Sequence, residues 1–487
     1  MSMKSALVLF FVVASCSSLG SVEDCVNLDQ AVAHVKMLTQ YAPRVTGSGD
    51  IHDTITGGVY SAAEYIVETL QAYQYTVSVE KFPVTTFQIT EFELVVDFDG
   101  DFSTPDQLIL SSTAIPPTLK YATISYHMHI PLVLDEKVPY TVPGLEYWVY
   151  QDMEAGPPEP EITLVYRVDE PAFVCSTPDT FSISYQDYVT INQYKTETTA
   201  LYVKFSSYSA EVTGYNIVAF KDKGQNHIDA DQKIIVTAHY DSVFTKGAID
   251  NGSGVASLLE TARIISELDT VIPVWFVFFD AEEIGCLGSE AFVAAHDLDH
   301  STCINVDSIA SGDTVYIGGF PHYPDMWMSY YHTDPVLDKY IAGIAKSILG
   351  YTPDPWLLEY AGGYSDFVAF TREKILCTDI TTFDKEAVTI PVISEEKQSD
   401  HAVIWKKGER ILYYQEDRFS KVIPFIHTSH DDLAHFNQDL FYDATRVVTK
   451  ATYALSTHQE NRWWVVILCL GAAAIAAYSI WHVKQYL

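Results

Sequence analysis

From Ile234 to Asp307 the chain alternates short apolar runs with stretches of helical periodicity, and this alternation limits the possible folds more than any other feature. Ile234 to Ala238 is apolar except for Thr237, Val274 to Phe279 is wholly apolar, and a third run lies near Cys303 to Val306. Short apolar runs that do not alternate with polar residues predict strands buried on both faces. Between them, Ser253 to Leu268 places Val255, Leu258, Leu259, Ala262 and Ile265 at helical spacing, and a further helix is expected from about Ser289 to His296. Later, Asp334 as cap, Pro335 in the first turn and Gly350 at the end delimit another helix. Strands buried on both faces need a helix layer on each side. The expected fold is therefore α/β, a mostly parallel mixed sheet flanked by helices.

In such a sheet, ligands bind beyond the carboxyl ends of the strands. The residues just past each predicted strand are His239-Tyr240-Asp241, then Asp280, Glu282 and Glu283, then Asp307. Asp250 lies in the loop Gly247-Ala248-Ile249-Asp250-Asn251-Gly252-Ser253-Gly254, and His427-Thr428-Ser429-His430-Asp431-Asp432 follows the apolar run Val422 to Ile426. Any one of these is more often a surface pair. Together they would crowd like charges, which is repulsive unless a cation neutralises them. Imidazole mixed with carboxylate suits zinc, with manganese or cobalt next, since calcium and magnesium seldom take histidine.

Rival chemistries lack their motifs. No His-Glu-x-x-His, Gly-x-Ser-x-Gly, Gly-x-x-x-x-Gly-Lys or Gly-x-Gly-x-x-Gly occurs. The 487 residues include 64 Asp+Glu against 29 Lys+Arg, a net charge of -35, which disfavours a phosphate backbone as partner. No nucleic acid is expected. At 48% hydrophobic and 13% aromatic residues, the chain is also too apolar to be disordered.

Met1 to Gly20 has the order of a secretory signal: Lys4, the apolar run Ala6 to Ala14, then small residues. Val13-Ala14-Ser15-Cys16 also fits a lipoprotein signal. Trp463 to Trp481 carries no charge and has aromatic residues at both ends, so a single transmembrane helix is expected there, with 482–487 as a cytoplasmic tail. This order predicts a single-pass type I protein whose body is extracellular or lumenal. Outside those segments the cysteines are Cys25, Cys175, Cys286, Cys303 and Cys377, an odd set without C-x-x-C, so neither a disulfide framework nor a zinc knuckle is expected.

Ser61 and Glu64 read as a capping box opening a helix, followed by a strand near Thr76 to Phe82. Between about Phe87 and Ala210 the texture changes to short β-rich runs separated by proline and turn clusters, which suggests an inserted module. The expected division is 21–86 and 211–460 for the main domain, with 87–210 inserted.

These residues resemble metallopeptidase family 28, the aminopeptidases with two zinc ions. The resemblance rests on Ala238 to Val243, Gly247 to Val255 with Leu259-Glu260, Phe279 to Ser289, Asn305-Val306-Asp307, His427-Thr428-x-x-Asp431, and Pro43-Arg44-Val45-Thr46-Gly47-Ser48. It covers roughly Asp29 to Phe82 and Tyr215 to Phe436, and the inserted segment loosely resembles the protease-associated module found in that family. The resemblance implies that Asp250 bridges two zinc ions, one also taking His239 and Asp307, the other Glu283 and His427. It implies Glu282 as general base and Asp241 behind His239. Where the family often has tyrosine before the last histidine, this chain has Ile426, and Tyr364 is the substitute oxyanion donor. Gly363 to Phe367 and Ser399-Asp400-His401 are rival matches to another family segment, and Asn251-Gly252-Ser253 is a sequon expected to stay unglycosylated. The implied activity is removal of N-terminal residues from peptides. A glutaminyl cyclase using one zinc and a metal-free receptor are the alternatives.

Overall fold

The computed structural model describes residues 21–48, 58–111, 114–116, 124–131, 145–149, 163–167, 171–172, 180–221, 232–318, 333–353, 365–385, 404–406, 409–411 and 423–457. Two helices come first, α1 (Leu28–Gln40) and α2 (Gly58–Ala72). Next are β1 (Thr76–Asp97), β2 (Gln107–Ile109), β3 (Ile124–Pro131), β4 (Leu145–Val149), β5 (Thr163–Arg167), β6 (Thr180–Ser182), α3 (Tyr185–Tyr194) and β7 (Ala200–Phe220). The alternating part holds β8 (Ile234–His239), α4 (Gly252–Ser266), β9 (Val274–Phe279), α5 (Leu287–Ala295), β10 (Thr302–Val306), β11 (Thr314–Ile317), α6 (Pro335–Leu349), α7 (Phe367–Arg372) and β12 (Leu376–Phe383). A short hairpin, β13 (Ile404–Lys406) with β14 (Glu409–Ile411), and α8 (Gln438–Thr457) follow.

Among the described residues one large sheet runs β11-β12-β10-β8-β9-β7-β1-β2, with β3 also on β7. Its centre, β12-β10-β8-β9, is parallel, and both flanks are antiparallel. Parallel strands need crossovers, and here helices supply them. Ile234, Val236 and Ala238 face one core with residues of α1, α2, α4, α6 and α8, while Ile235, Val277 and Cys303 face a second core with α5 and α7. Because strand side chains alternate, His239 points to the same face as Ile235.

The β-rich region is tied to the main sheet by its own strands. β1 and β7 pair from Thr76↔Phe220 to Asp97↔Ala200, and Thr86↔Ala210 and Phe87↔Ser209 fall inside that ladder. The change of texture near residue 87 thus reflects a change in what covers the strands. Their far halves pack Leu94, Val96, Leu201, Val203 and Phe205 with Phe181 and Tyr166 into a separate core. Helix α3, not anticipated from sequence, is capped by Ser184, whose Oγ accepts the Asp187 N–H at 3.0 Å.

One local expectation is corrected. Helix α2 begins at Gly58, three residues ahead of the expected cap Ser61. Its first amides are met by the preceding segment: Gly58 N–H donates to the Tyr41 carbonyl at 2.6 Å and Val59 N–H to Ser48 Oγ at 3.2 Å. Those contacts do the work a capping box would do. The helix at Pro335 has the expected Asp334 cap and ends at Gly350 in the left-handed region. Cys286, Cys303 and Cys377 are free thiols. The expected signal 1–20, the span Trp463 to Trp481, Cys175, Tyr364 and Ser399-Asp400-His401 lie outside the described residues. Among the described residues no helix is long and apolar enough to cross a membrane.

Candidate metal centre

The loops at the carboxyl ends of β8, β9 and β10 bring the candidate residues together. His239 ends β8, Glu282 and Glu283 follow β9, and Asp307 follows β10. Asp250 sits in the turn before α4, and His427 comes from the loop ahead of α8. The backbone there is unusual, since Ala281, Ser308 and His427 all have positive φ, at 64°, 53° and 56°. Non-glycine residues rarely adopt that region, and when they do so they concentrate at functional sites.

Asp250 is the centre of the cluster. Its Oδ1 lies 3.2 Å from His239 Nε2, and its Oδ2 lies 3.1 Å from His427 Nε2. Asp307 Oδ1 is 3.4 Å from His239 Nε2, and Glu283 Oε2 is 3.1 Å from His427 Nε2. The result is two trios that share Asp250: His239, Asp250, Asp307 and Asp250, Glu283, His427, each with one ligand atom per residue within 4.8 Å of the others. Glu282 stands apart from both, its Oε2 3.9 Å from His239 Nε2 and its Oε1 3.5 Å from the Cys286 thiol, which donates to it. His427 keeps 38% of its side chain exposed against 1% for His239, so the cluster opens on the His427 side.

The electrostatics are those of a cluster short of positive charge. Burial pushes the Glu282 carboxyl well above its ordinary range, and the carboxylates of Glu283, Asp366 and Asp307 add to the effect. Burial also raises Glu283, with the charge of Asp250 adding. For His239 burial works against the charged form, but Asp307 and Glu282 outweigh it and hold the imidazole well above its usual range. His239 Nε2 is buried without a hydrogen-bond partner, although carboxylate oxygens surround it. Held neutral, as a metal ligand must be, the ring would aim that nitrogen's lone pair among carboxylates, which is unfavourable unless a cation sits between them. Four carboxylates, Asp250, Glu282, Glu283 and Asp307, with two neutral imidazoles carry the charge that two divalent ions would balance. The residues therefore fit a pair of metals.

The surrounding shell is only partly the expected one. Asp241 lies 3.4 Å from His239 Nδ1 through its carboxylate, but its backbone carbonyl is nearer, at 3.2 Å. Its carboxylate also accepts the backbone N–H of Glu282 at 3.1 Å and of Glu283 at 3.2 Å. Thr46 Oγ1 sits between Asp241 at 3.3 Å and Asp280 at 2.9 Å. Burial, with the Asp241 charge beside it, pushes Asp280 up to about 8. Beneath the cluster a polar row crosses three parallel strands: Thr237 donates to Asn305 at 2.8 Å and Asn305 to Asp379 at 2.9 Å. Sequence reasoning gave Thr46, Asn305 and Asp379 no role. Thr46 and Asn305 stood within matched segments, whereas nothing around Asp379 singled it out. Asn251, the sequon residue, is wholly buried, and its amide donates to the Val306 carbonyl at 2.9 Å.

Residues 216–452 match the family model described as Peptidase family M28. The match takes in just under half of the chain. Over 83 residues the chain is 45% identical to the aminopeptidase YwaD of Bacillus subtilis, covering 17% of this chain and 18% of that protein. Over 147 residues it is 32% identical to leupeptin-inactivating enzyme 1 of Streptomyces exfoliatus, covering 28% of this chain and 30% of that one. The chain thus spans less than a third of either relative's length. A solved zinc aminopeptidase from Bacillus subtilis superposes with a TM-score of 0.54 at 19% identity, over 89% of this chain and 96% of that one. That likeness shows the fold, the mixed α/β sheet between helix layers. The matched stretch begins within β7 and ends within α8, so it contains every residue of the two trios.

Proposed function

We propose that the chain is a zinc-dependent aminopeptidase with two metals per molecule, which hydrolyses the first peptide bond of substrates with a free N-terminus. The carrying observation is the division of Asp250 between two imidazoles, 3.2 Å from His239 and 3.1 Å from His427. A single-metal site needs no carboxylate placed in that way. The M28 match, the names of the aminopeptidase relatives and the zinc of the superposed enzyme support the reading.

Bound here, two divalent cations would lower the pKa of a shared water, polarise the scissile carbonyl and offset the excess of carboxylate charge. His239 and Asp307 would hold one, Glu283 and His427 the other, and Asp250 both. Glu282, outside both trios, is placed to take the proton of the attacking water and pass it to the leaving amine. It can do so only when ionised, which requires positive charge in the cluster. Asp241 holds the two glutamate amides, so that neighbouring side chains point to different tasks. The wider proposal keeps the export signal 1–20, the inserted module 87–210, and the C-terminal anchor that would leave the domain extracellular or lumenal.

The test is a panel of peptides with free and blocked N-termini, incubated with and without chelator, beside Glu282→Gln. Release of N-terminal residues from free peptides only, lost with chelator, is expected. Equal cleavage of blocked peptides contradicts the aminopeptidase reading, and cyclisation of an N-terminal glutamine would favour a cyclase.

A further inference from the structure

Two residues of the matched segments have no place in that scheme. Arg44 is wholly buried, and so is Asp431. The Arg44 guanidinium donates from Nε to the Tyr240 carbonyl at 2.7 Å, from Nη1 to the carbonyls of Lys246 at 3.0 Å and Leu38 at 3.4 Å, and from Nη2 to that of Gly247 at 2.9 Å. Tyr240 directly follows His239, and Gly247 opens the turn that ends at Asp250. One planar fork therefore ties the end of β8 to the turn before α4, which a lysine ammonium has too few directed donors to do. The backbone of Arg44 is itself anchored: its N–H donates to Ser242 Oγ at 3.1 Å, and its carbonyl accepts the Ser242 N–H at 3.1 Å.

Asp431 takes the amides of the same turn. Its Oδ1 accepts the Ile249 N–H at 2.6 Å and the Asp250 N–H at 3.5 Å, and its backbone carbonyl accepts the Ala248 N–H at 3.3 Å. The turn is closely seated between them. Gly247 has a φ of +57°, and a Cβ there would lie 2.7 Å from Arg44 Nη2 and 2.7 Å from Ser242 Cβ. Burying a guanidinium and a carboxyl group is costly unless their hydrogen bonds are used. Two of the four Arg44 bonds, and the Ile249 and Asp250 amides taken by Asp431, fall on one irregular stretch of backbone, whose last residue must present two carboxylate oxygens in two directions.

We propose that Arg44 and Asp431 are paired positioning residues, a guanidinium on the Lys246 and Gly247 carbonyls where the turn begins and a carboxyl group on the Ile249 and Asp250 amides where it ends, which together fix Asp250 toward both metal positions. The inference rests on the two-metal reading and deepens it.

The test titrates Co2+ alone into the metal-free full chain, read by visible absorption and by bound metal, beside thermal melts. The variants are Arg44→Lys, Asp431→Asn and Gly247→Ala, with Ile66→Ala as a core control away from the turn. Each turn variant is expected to weaken Co2+ binding by ~10–100-fold and to alter the absorption band, as loss of a supporting group around a ligand does. Both Co2+ ions should be affected, since Asp250 is shared. Ile66→Ala should melt lower and keep the affinity and spectrum. If the turn variants melt lower but bind Co2+ with the unaltered affinity and spectrum, the residues are merely structural and the inference is wrong. If Arg44→Lys fails to fold, the other two turn variants decide it in the same way. No Co2+ uptake by the unsubstituted chain would overturn the metal reading as well, which separates the two failures.

Discussion

The carboxylate of Asp241 accepts the backbone N–H of Glu282 at 3.1 Å and also that of Glu283, at 3.2 Å. It thereby fixes the loop that carries both glutamates. Asp241→Asn puts an amide N–H₂ against one of those donors, so one bond is replaced by a repulsive contact. A loss of activity of ~10–100-fold is expected, with the metal retained. Steady-state kinetics and bound metal measured on one preparation check it.

Glu282→Gln removes the proton acceptor while keeping the side chain's size. Because Glu282 stands outside both trios, metal content should not change. A fall in kcat of ~10²–10⁴-fold is expected, with KM nearly unchanged. Loss of metal in this variant would instead make Glu282 a ligand.

Ligand substitutions should separate into two classes. Asp307→Ala and Glu283→Ala each strip one trio, and should leave about one metal per chain by the two-metal scheme. Asp250→Ala strips both trios, and should leave none bound tightly. Elemental analysis after dialysis reads the difference.

The sequon at Asn251 should carry no glycan in a eukaryotic secretory host. Its amide is wholly buried, and its Oδ1 also accepts the Gly254 N–H at 2.8 Å at the start of α4. The peptide containing Asn251 should show no mass change on enzymatic deglycosylation.

Stability should fall with rising pH through one buried acid of α6. Burial pushes Asp338 up to about 7 from 3.8, although Thr378 and Thr333 donate to it at 2.6 and 2.8 Å. Between those two values the folded chain holds a proton that the unfolded chain has released. Stability is therefore lost as pH climbs from about 4 to about 7, by at most about 4 kcal/mol, and is level above. Asp338→Asn should flatten that slope in denaturant melts taken at several pH values. An equally steep slope in the variant would place its origin elsewhere.

The alternating half of the fold was legible because its local signals are strong. The strand Val274 to Phe279 and the helix from Pro335 to Gly350 have the expected limits, since an apolar run and a proline–glycine frame each act over a few residues. The region around residue 87 was harder. There the β1 and β7 ladder continues while its packing partners change, and composition registers only the second fact. At α2 the capping groups come from the Tyr41 to Ser48 segment, which sequence proximity to Ser61 could not reveal.

The residue types at the strand ends were fixed by the sequence, and with them the expectation of metal chemistry, because an imidazole or a carboxylate carries its ligating capacity wherever it stands. Which oxygen of Asp250 faces which histidine, and that Arg44 and Asp431 grip a turn some two hundred residues away from each, was decided only by the fold. Such contacts depend on directed hydrogen bonds across a packed core, and direction in space has no counterpart in the order of residues along a chain.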